Sequence, residues 1–165
     1  QDTIYTGAKF TRLYFKDCYI DGTTDFIFGP STALFEDCII HSKRNSYVTA
    51  ASTPKEAKYG YVFKHCKLTA EPGVDKVYLG RPWRPYAYTL FIECELGKHI
   101  VLAGWHNWGK QSNEETARYM EYKNTGEGAN ASERVAWSKQ LTKKEAEAVT
   151  VDAIFRTQSD WDPID

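Results

Sequence analysis

Four segments of one pattern decide how this chain folds: Phe15-Lys-Asp-Cys18-Tyr-Ile20, Phe35-Glu-Asp-Cys38-Ile-Ile40, Phe63-Lys-His-Cys66-Lys-Leu68 and Phe91-Ile-Glu-Cys94-Glu-Leu96. The motif F-x-x-C-x-[IL] recurs at steps of 20, 28 and 28 residues. Self-similarity at that period is the signature of a solenoid, in which each repeat covers the hydrophobic face of its neighbour. The repeats carry β-formers and turn residues and no 3.6-residue period, so the unit is built from strands. Period-two alternation predicts Phe35, Asp37 and Ile39 on one side, with Glu36, Cys38 and Ile40 on the other. The side shared by the cysteine and the aliphatic residue two places on is expected to face inward. The expected fold is all-β: a right-handed parallel β-helix whose coils stack about 4.8 Å apart. The cysteines then form an internal column, stacked as free thiols, with a disulfide as the alternative. The leading phenylalanines anchor each coil at a corner or on a second face. His65 falls where the other repeats have Asp17, Asp37 and Glu93, which marks an exterior polar slot.

The surrounding composition fits that reading. The chain has 165 residues, 42% of them hydrophobic and 26% charged, a globular balance of one domain or a piece of a larger one. A formal charge of -1 argues against a nucleic-acid partner, which needs a basic surface. The longest apolar run, 100–105, is far too short to span a membrane. The chain begins at Gln1 with neither a methionine nor a signal peptide, which predicts a processed or excised segment. No C-x-x-C pair is present, and the four histidines show no ligand spacing, so no metal site is expected. The coils are expected over residues 1–109. Residues 110–165 read as a C-terminal tail that packs on them, with Thr142 and Glu145 as the capping box of a short helix. Asn130-Ala-Ser132 matches a glycosylation sequon, a match frequent by chance.

Acidic residues stand at the start of two apolar strands, in Gln1-Asp2-Thr-Ile-Tyr5 and Gly22-Thr-Thr-Asp25-Phe-Ile-Phe-Gly29. Asp2 and Asp25 are 23 residues apart, close to one coil, which predicts backbones about 5 Å apart. Asp25 lies 13 residues before Cys38, and Arg81, in Leu79-Gly-Arg81-Pro-Trp83, lies 13 before Cys94. The shared phase puts Arg81 two coils above Asp25, about 10 Å by backbone and within an arginine's reach. Two carboxylates side by side cannot both ionise easily, and an arginine against one of them splits the pair into a nucleophile or base and a proton donor. The plainer alternative is a surface ion pair with a spectator aspartate. Phe26 and Phe28 share a face opposite Ile27 at period two, and are either core or cleft residues.

These blocks, together with Gly104-Trp105-His-Asn-Trp108, resemble in the same order the signature blocks of the pectin methylesterases, over residues 1–130. The resemblance implies the right-handed parallel β-helix, truncated here at its N-terminal end. It also implies hydrolysis of methyl esters of polygalacturonate to methanol and acidic pectin, with no metal or cofactor. By this resemblance Asp25 is the nucleophile that forms an acyl-enzyme and Asp2 is the general acid and then base. Gln1 donates its amide to the oxyanion, and Arg81 keeps Asp25 ionised. Trp83 stacks on a sugar ring, and Trp105 is a second platform. The implied partner is methyl-esterified homogalacturonan, and the implied location is secreted or periplasmic. The family's long N-terminal β-helical part, with a further oxyanion glutamine, is missing. Val48-Thr-Ala-Ala51 also lacks the glutamine many relatives carry after Thr-Ala. Two other functions fit a β-helix of this kind. One is another β-helical pectin-active enzyme, a lyase or a polygalacturonase; a lyase would need clustered carboxylates for calcium, and the sequence shows no such cluster beside Asp25. A pectin-binding module would keep the aromatic platforms and need neither aspartate.

Overall fold

In the computed structural model, which describes residues 1–156 and 163–164, three parallel sheets form the stack and each of the first four coils gives one strand to each. The first sheet orders β1 (Ile4–Tyr5), β4 (Ile27–Gly29), β7 (Tyr47–Ala51) and β10 (Tyr78–Gly80). The second orders β2 (Arg12–Lys16), β5 (Thr32–Glu36), β8 (Tyr61–Lys64), β11 (Tyr88–Ile92), β13 (Arg118–Tyr122) and β14 (Lys139–Gln140). The third orders β3 (Tyr19–Gly22), β6 (Ile39–Ser42), β9 (Lys67–Ala70) and β12 (Glu95–Leu96). This is the parallel β-helix that the repeat predicts.

The repeat motif runs round one corner of every coil. Phe15, Phe35, Phe63 and Phe91 are in register and stack face to face, with centroids 4.8, 4.5 and 4.4 Å apart. The cysteines form the adjoining column as free thiols, Cys18 half-buried and the other three buried. The thiols of Cys38, Cys66 and Cys94 each donate to the carbonyl of the phenylalanine one coil below, at 3.5, 3.4 and 3.5 Å. Neighbouring thiols and burial push Cys38 far above the usual thiol range, so this thiol stays protonated. Ile20, Ile40, Leu68 and Leu96 complete the buried set.

Strict alternation across the motif does not hold, because Phe35 is buried along with Cys38 and Ile40. The reason is the residue between them. Asp17, Asp37, His65 and Glu93 have left-handed φ values of 53°, 54°, 53° and 51°. One such residue per coil turns the chain from the second sheet into the third, so both flanking side chains point inward. The turning residues stand outside, as the polar-slot reading expects. His65 lies 3.8 Å from Asp37 and 3.3 Å from Glu93.

The expected division at residue 109 does not match the strands. The stack continues through β13 and β14, which extend the second sheet in parallel. Residues 118–126 are a fifth coil in which each signature residue is replaced. Glu121 is in register with Phe91, and Lys123 repeats the left-handed corner at φ 47°. Asn124 takes the cysteine position, its side-chain oxygen accepting the Cys94 N–H at 2.9 Å. Gly126 takes the aliphatic position, where any Cβ would sit 2.4 Å from the Leu96 carbonyl oxygen. Glu121 and Arg134 pair at 2.8 Å with side chains 4% and 3% exposed, and close the end of the column. The short α1 (Asn113–Thr116) precedes β13; beyond β14, α2 (Lys143–Glu147) and α3 (Val151–Phe155) lie on the outer face of the second sheet. There Ile154 and Phe155 pack with Leu34, Val62 and Leu90 in a second core. The Thr142–Glu145 capping box opens α2 with both of its hydrogen bonds.

Candidate functional site

The first sheet carries the candidate residues on its outer face. Ile4 pairs with Ile27, so Asp2 and Asp25 occupy the same register position on adjacent coils. Both have left-handed backbones, φ 55° and 49°, which aspartate tolerates better than most residues. The Asp25 N–H donates to the Tyr47 carbonyl at 2.9 Å, fixing this corner to the next coil.

Arg81 arrives from two coils along, at the C-terminal end of β10. Its guanidinium forks onto Asp25, with Nε to Oδ1 at 3.0 Å and Nη2 to Oδ2 at 2.7 Å. Such a two-point, charge-assisted contact fixes a carboxylate in orientation as well as charge. The guanidinium plane is itself held from both sides, 3.9 Å from the Tyr47 ring centre and 3.7 Å from that of Trp108. Glycine precedes Arg81 because the backbone there runs against its neighbour. A Cβ at Gly80 would sit 2.2 Å from the Thr49 hydroxyl.

Asp2, Asp25, Phe28, Ala50, Trp83 and Trp108 line an open cleft of about 260 Å³. Trp83 stands on its wall, 37% exposed, and its ring is 6.0 Å from Phe28, which in turn is 5.1 Å from Tyr5. These rings form an exposed aromatic row across the coils. Trp83 also borders the grooves on both of its sides, one toward Ser52–Lys55 and one toward Trp108–Asn113. Arg118 of β13 secures the loops around the first of these grooves. Its guanidinium donates to the carbonyls of Tyr86, Ala57 and Pro54 at 2.6 to 3.1 Å.

The structure thus brings together Asp2, Asp25, Arg81 and Trp83. Gln1 is exposed beside Asp2, with its terminal amino group on the Thr23 hydroxyl, and it is not among the residues lining the cleft. Trp105, expected as a second platform, is a correction. It is 1% exposed and stacked at 4.3 Å on Tyr119 inside the helix, so neither face can meet a sugar. The ring in the cleft is Trp108, the second tryptophan of the same block. Sequence reasoning also passed over Tyr47, which shares no motif with Arg81. Phe26 and Phe28 separate too: Phe26 is wholly buried over Gly22, where a Cβ would sit 2.3 Å from its own, and only Phe28 reaches the cleft. The Asp25 corner again breaks the alternation. Ala51, which stands where the resemblance led to an expected glutamine, is fully buried.

Comparison with known proteins agrees with this fold. The family model described as Pectinesterase matches residues 1–158. Pectinesterase 31 of Arabidopsis thaliana is 44% identical over 147 residues, covering 88% of this chain and 46% of that protein. Putative pectinesterase 11 of the same plant is 41% identical, covering 90% of this chain and 42% of the relative. Among solved structures, pectin methylesterase from carrot superposes with a TM-score of 0.88 at 34% identity, over 96% of this chain and 54% of that one. The enzyme from Aspergillus niger superposes with a TM-score of 0.82 at 30% identity, over 96% and 51%. The chain therefore spans about half the length of the relatives it matches. With its signature blocks in order, its coils superposable and nearly its whole length matched, the chain belongs to the pectinesterase family.

Proposed function

We propose that the cleft is the catalytic centre of a pectin methylesterase, and that this chain contributes the nucleophile, the proton donor and the ester-proximal sugar platform. The observation that supports this most is the forked Arg81 contact on Asp25, in a cleft that Asp2 shares from the neighbouring coil. Held ionised and oriented by Arg81, a carboxylate oxygen of Asp25 attacks the methyl-ester carbonyl of a galacturonate residue. The carbonyl becomes a tetrahedral oxyanion, to which the Gln1 amide is proposed to donate once turned toward the cleft. Asp2, protonated at this stage, gives its proton to the departing methoxide, and methanol leaves behind an acyl-enzyme on Asp25. Asp2, now a carboxylate, takes a proton from water as that water adds to the acyl carbon. The acid product departs, Asp25 is again a carboxylate, and Asp2 is again protonated. Trp83 stacks on the sugar, with Phe28 and Tyr5 extending the apolar floor along the polymer. The substrate is methyl-esterified homogalacturonan, and the setting that fits it is secreted or periplasmic.

The test is methanol release from methyl-esterified polygalacturonate, measured on this chain and on the longest natural chain that contains it. Release by either, lost in Asp25→Asn, is the expected result. No release from both, with polymer binding intact, would replace the esterase with a pectin-binding module.

A further inference from the structure

We propose that His106 is a positioning residue for this site, its ring nitrogen holding the Trp108 turn and thereby the aromatic clamp on Arg81. The inference rests on the esterase reading for its consequence in turnover, but its geometry stands apart from that reading. His106 Nδ1 accepts the backbone N–H of Trp108 at 3.0 Å. Trp108 needs such a partner, because its φ is 61°, a backbone conformation that a bulky residue rarely adopts unless its surroundings impose it. That turn is what carries the Trp108 indole out of the coil and over Arg81, while Trp105, three residues earlier, is left inside.

The histidine ring is fixed on its other sides as well. It packs edge-on against Tyr47 at 5.4 Å and Tyr78 at 5.3 Å, and the His106 backbone N–H donates to the Gly80 carbonyl at 3.1 Å, which fixes the backbone that carries the ring. Tyr47 is the opposite jaw of the clamp, so His106 touches one jaw by its ring and holds the other by its hydrogen bond. Arg81, Tyr47 and Tyr78 are the charged or titratable groups that face it. Burial and the nearby Arg81 charge both lower the His106 pKa. The ring is thereby kept neutral, and a neutral ring has the lone pair that an imidazolium lacks. An unclamped Arg81 keeps its charge but loses its fixed plane, and with it the two-point grip that aims Asp25.

Two variants separate the acceptor from the ring. His106→Phe keeps the ring packing and removes the acceptor. His106→Asn removes the ring and keeps an acceptor where Nδ1 stands. The first readout needs no activity: acrylamide quenching of tryptophan fluorescence in this chain, with the Trp108 contribution isolated by the matching Trp108→Phe proteins. The expected result is greater Trp108 quenching in His106→Phe and near-native quenching in His106→Asn. The second readout is methanol release, where His106→Phe should lower kcat about tenfold, the size of one hydrogen bond, with KM little changed, and His106→Asn should recover most of it. Equal quenching in His106→Phe and the parent, or equal damage in both variants, overturns the proposal. Absence of methanol release from the unmutated protein overturns the esterase reading instead, and the quenching pair still decides the role of His106.

Discussion

Acidification should unfold this protein through one buried histidine. His99 is 3% exposed, its Nε2 has no hydrogen-bond partner among the described residues, and it lies where a Cβ on Gly97 would come within 2.7 Å of its Nδ1. Burial, and secondarily the neighbouring His41, lower its pKa from 6.5 to about 4. His41 is itself engaged by Thr69 at 2.8 Å and Glu71 at 3.5 Å. The unfolded chain binds a proton at His99 near pH 6.5 and the folded chain does so only near pH 4, so stability falls as pH drops through that window. The gap of about 2.5 pH units is worth about 3 kcal/mol when complete, of which about 2 kcal/mol is already lost at pH 5. That is a large share of the 5–15 kcal/mol typical of a domain. His99→Leu keeps the volume and removes the titration. Urea unfolding at pH 7.5 and pH 5 measures the difference: the parent should lose about 2 kcal/mol more than His99→Leu, or about 1 M in midpoint. If both proteins lose the same stability over that interval, His99 does not bear the acid sensitivity and the argument fails.

Three further outcomes follow from the fold and the site. Asp25→Asn should abolish methanol release and retain polymer binding, whereas Asp2→Asn should leave residual acyl-enzyme formation slowed about 100- to 10,000-fold, both read by a methanol assay alongside a pectin-binding assay. Trp83→Ala should raise KM about tenfold or more with kcat less affected, since a stacked ring is worth about 1–3 kcal/mol in ground state and transition state alike. Glu121→Ala should cost about 3–5 kcal/mol in denaturant unfolding, because it leaves Arg134 buried without its counter-charge at the end of the column.

What the sequence determined was whatever repeats. Each coil presents the same local environment to its neighbours, so Phe15, Phe35, Phe63 and Phe91 had to stack with like, and their cysteines beside them. Counting residues from that column was enough to bring Asp2, Asp25 and Arg81 to one face, because register in a parallel stack is conserved from coil to coil. What the tertiary structure decided lies at corners and ends, where repetition stops. Left-handed residues at Asp25, Asp37 and Trp108 reverse the side-chain alternation that a strand would keep, which sends Phe26 and Phe35 inward and exchanges Trp108 for Trp105 at the cleft. The fifth coil was illegible because its polar replacements make sense only against partners from elsewhere: Glu121 against Arg134, Asn124 against the Cys94 backbone, Gly126 beneath Leu96. The clamp of Tyr47, Trp108 and His106 on Arg81 draws on loops of unequal length, and no spacing rule in the chain encodes where such loops return.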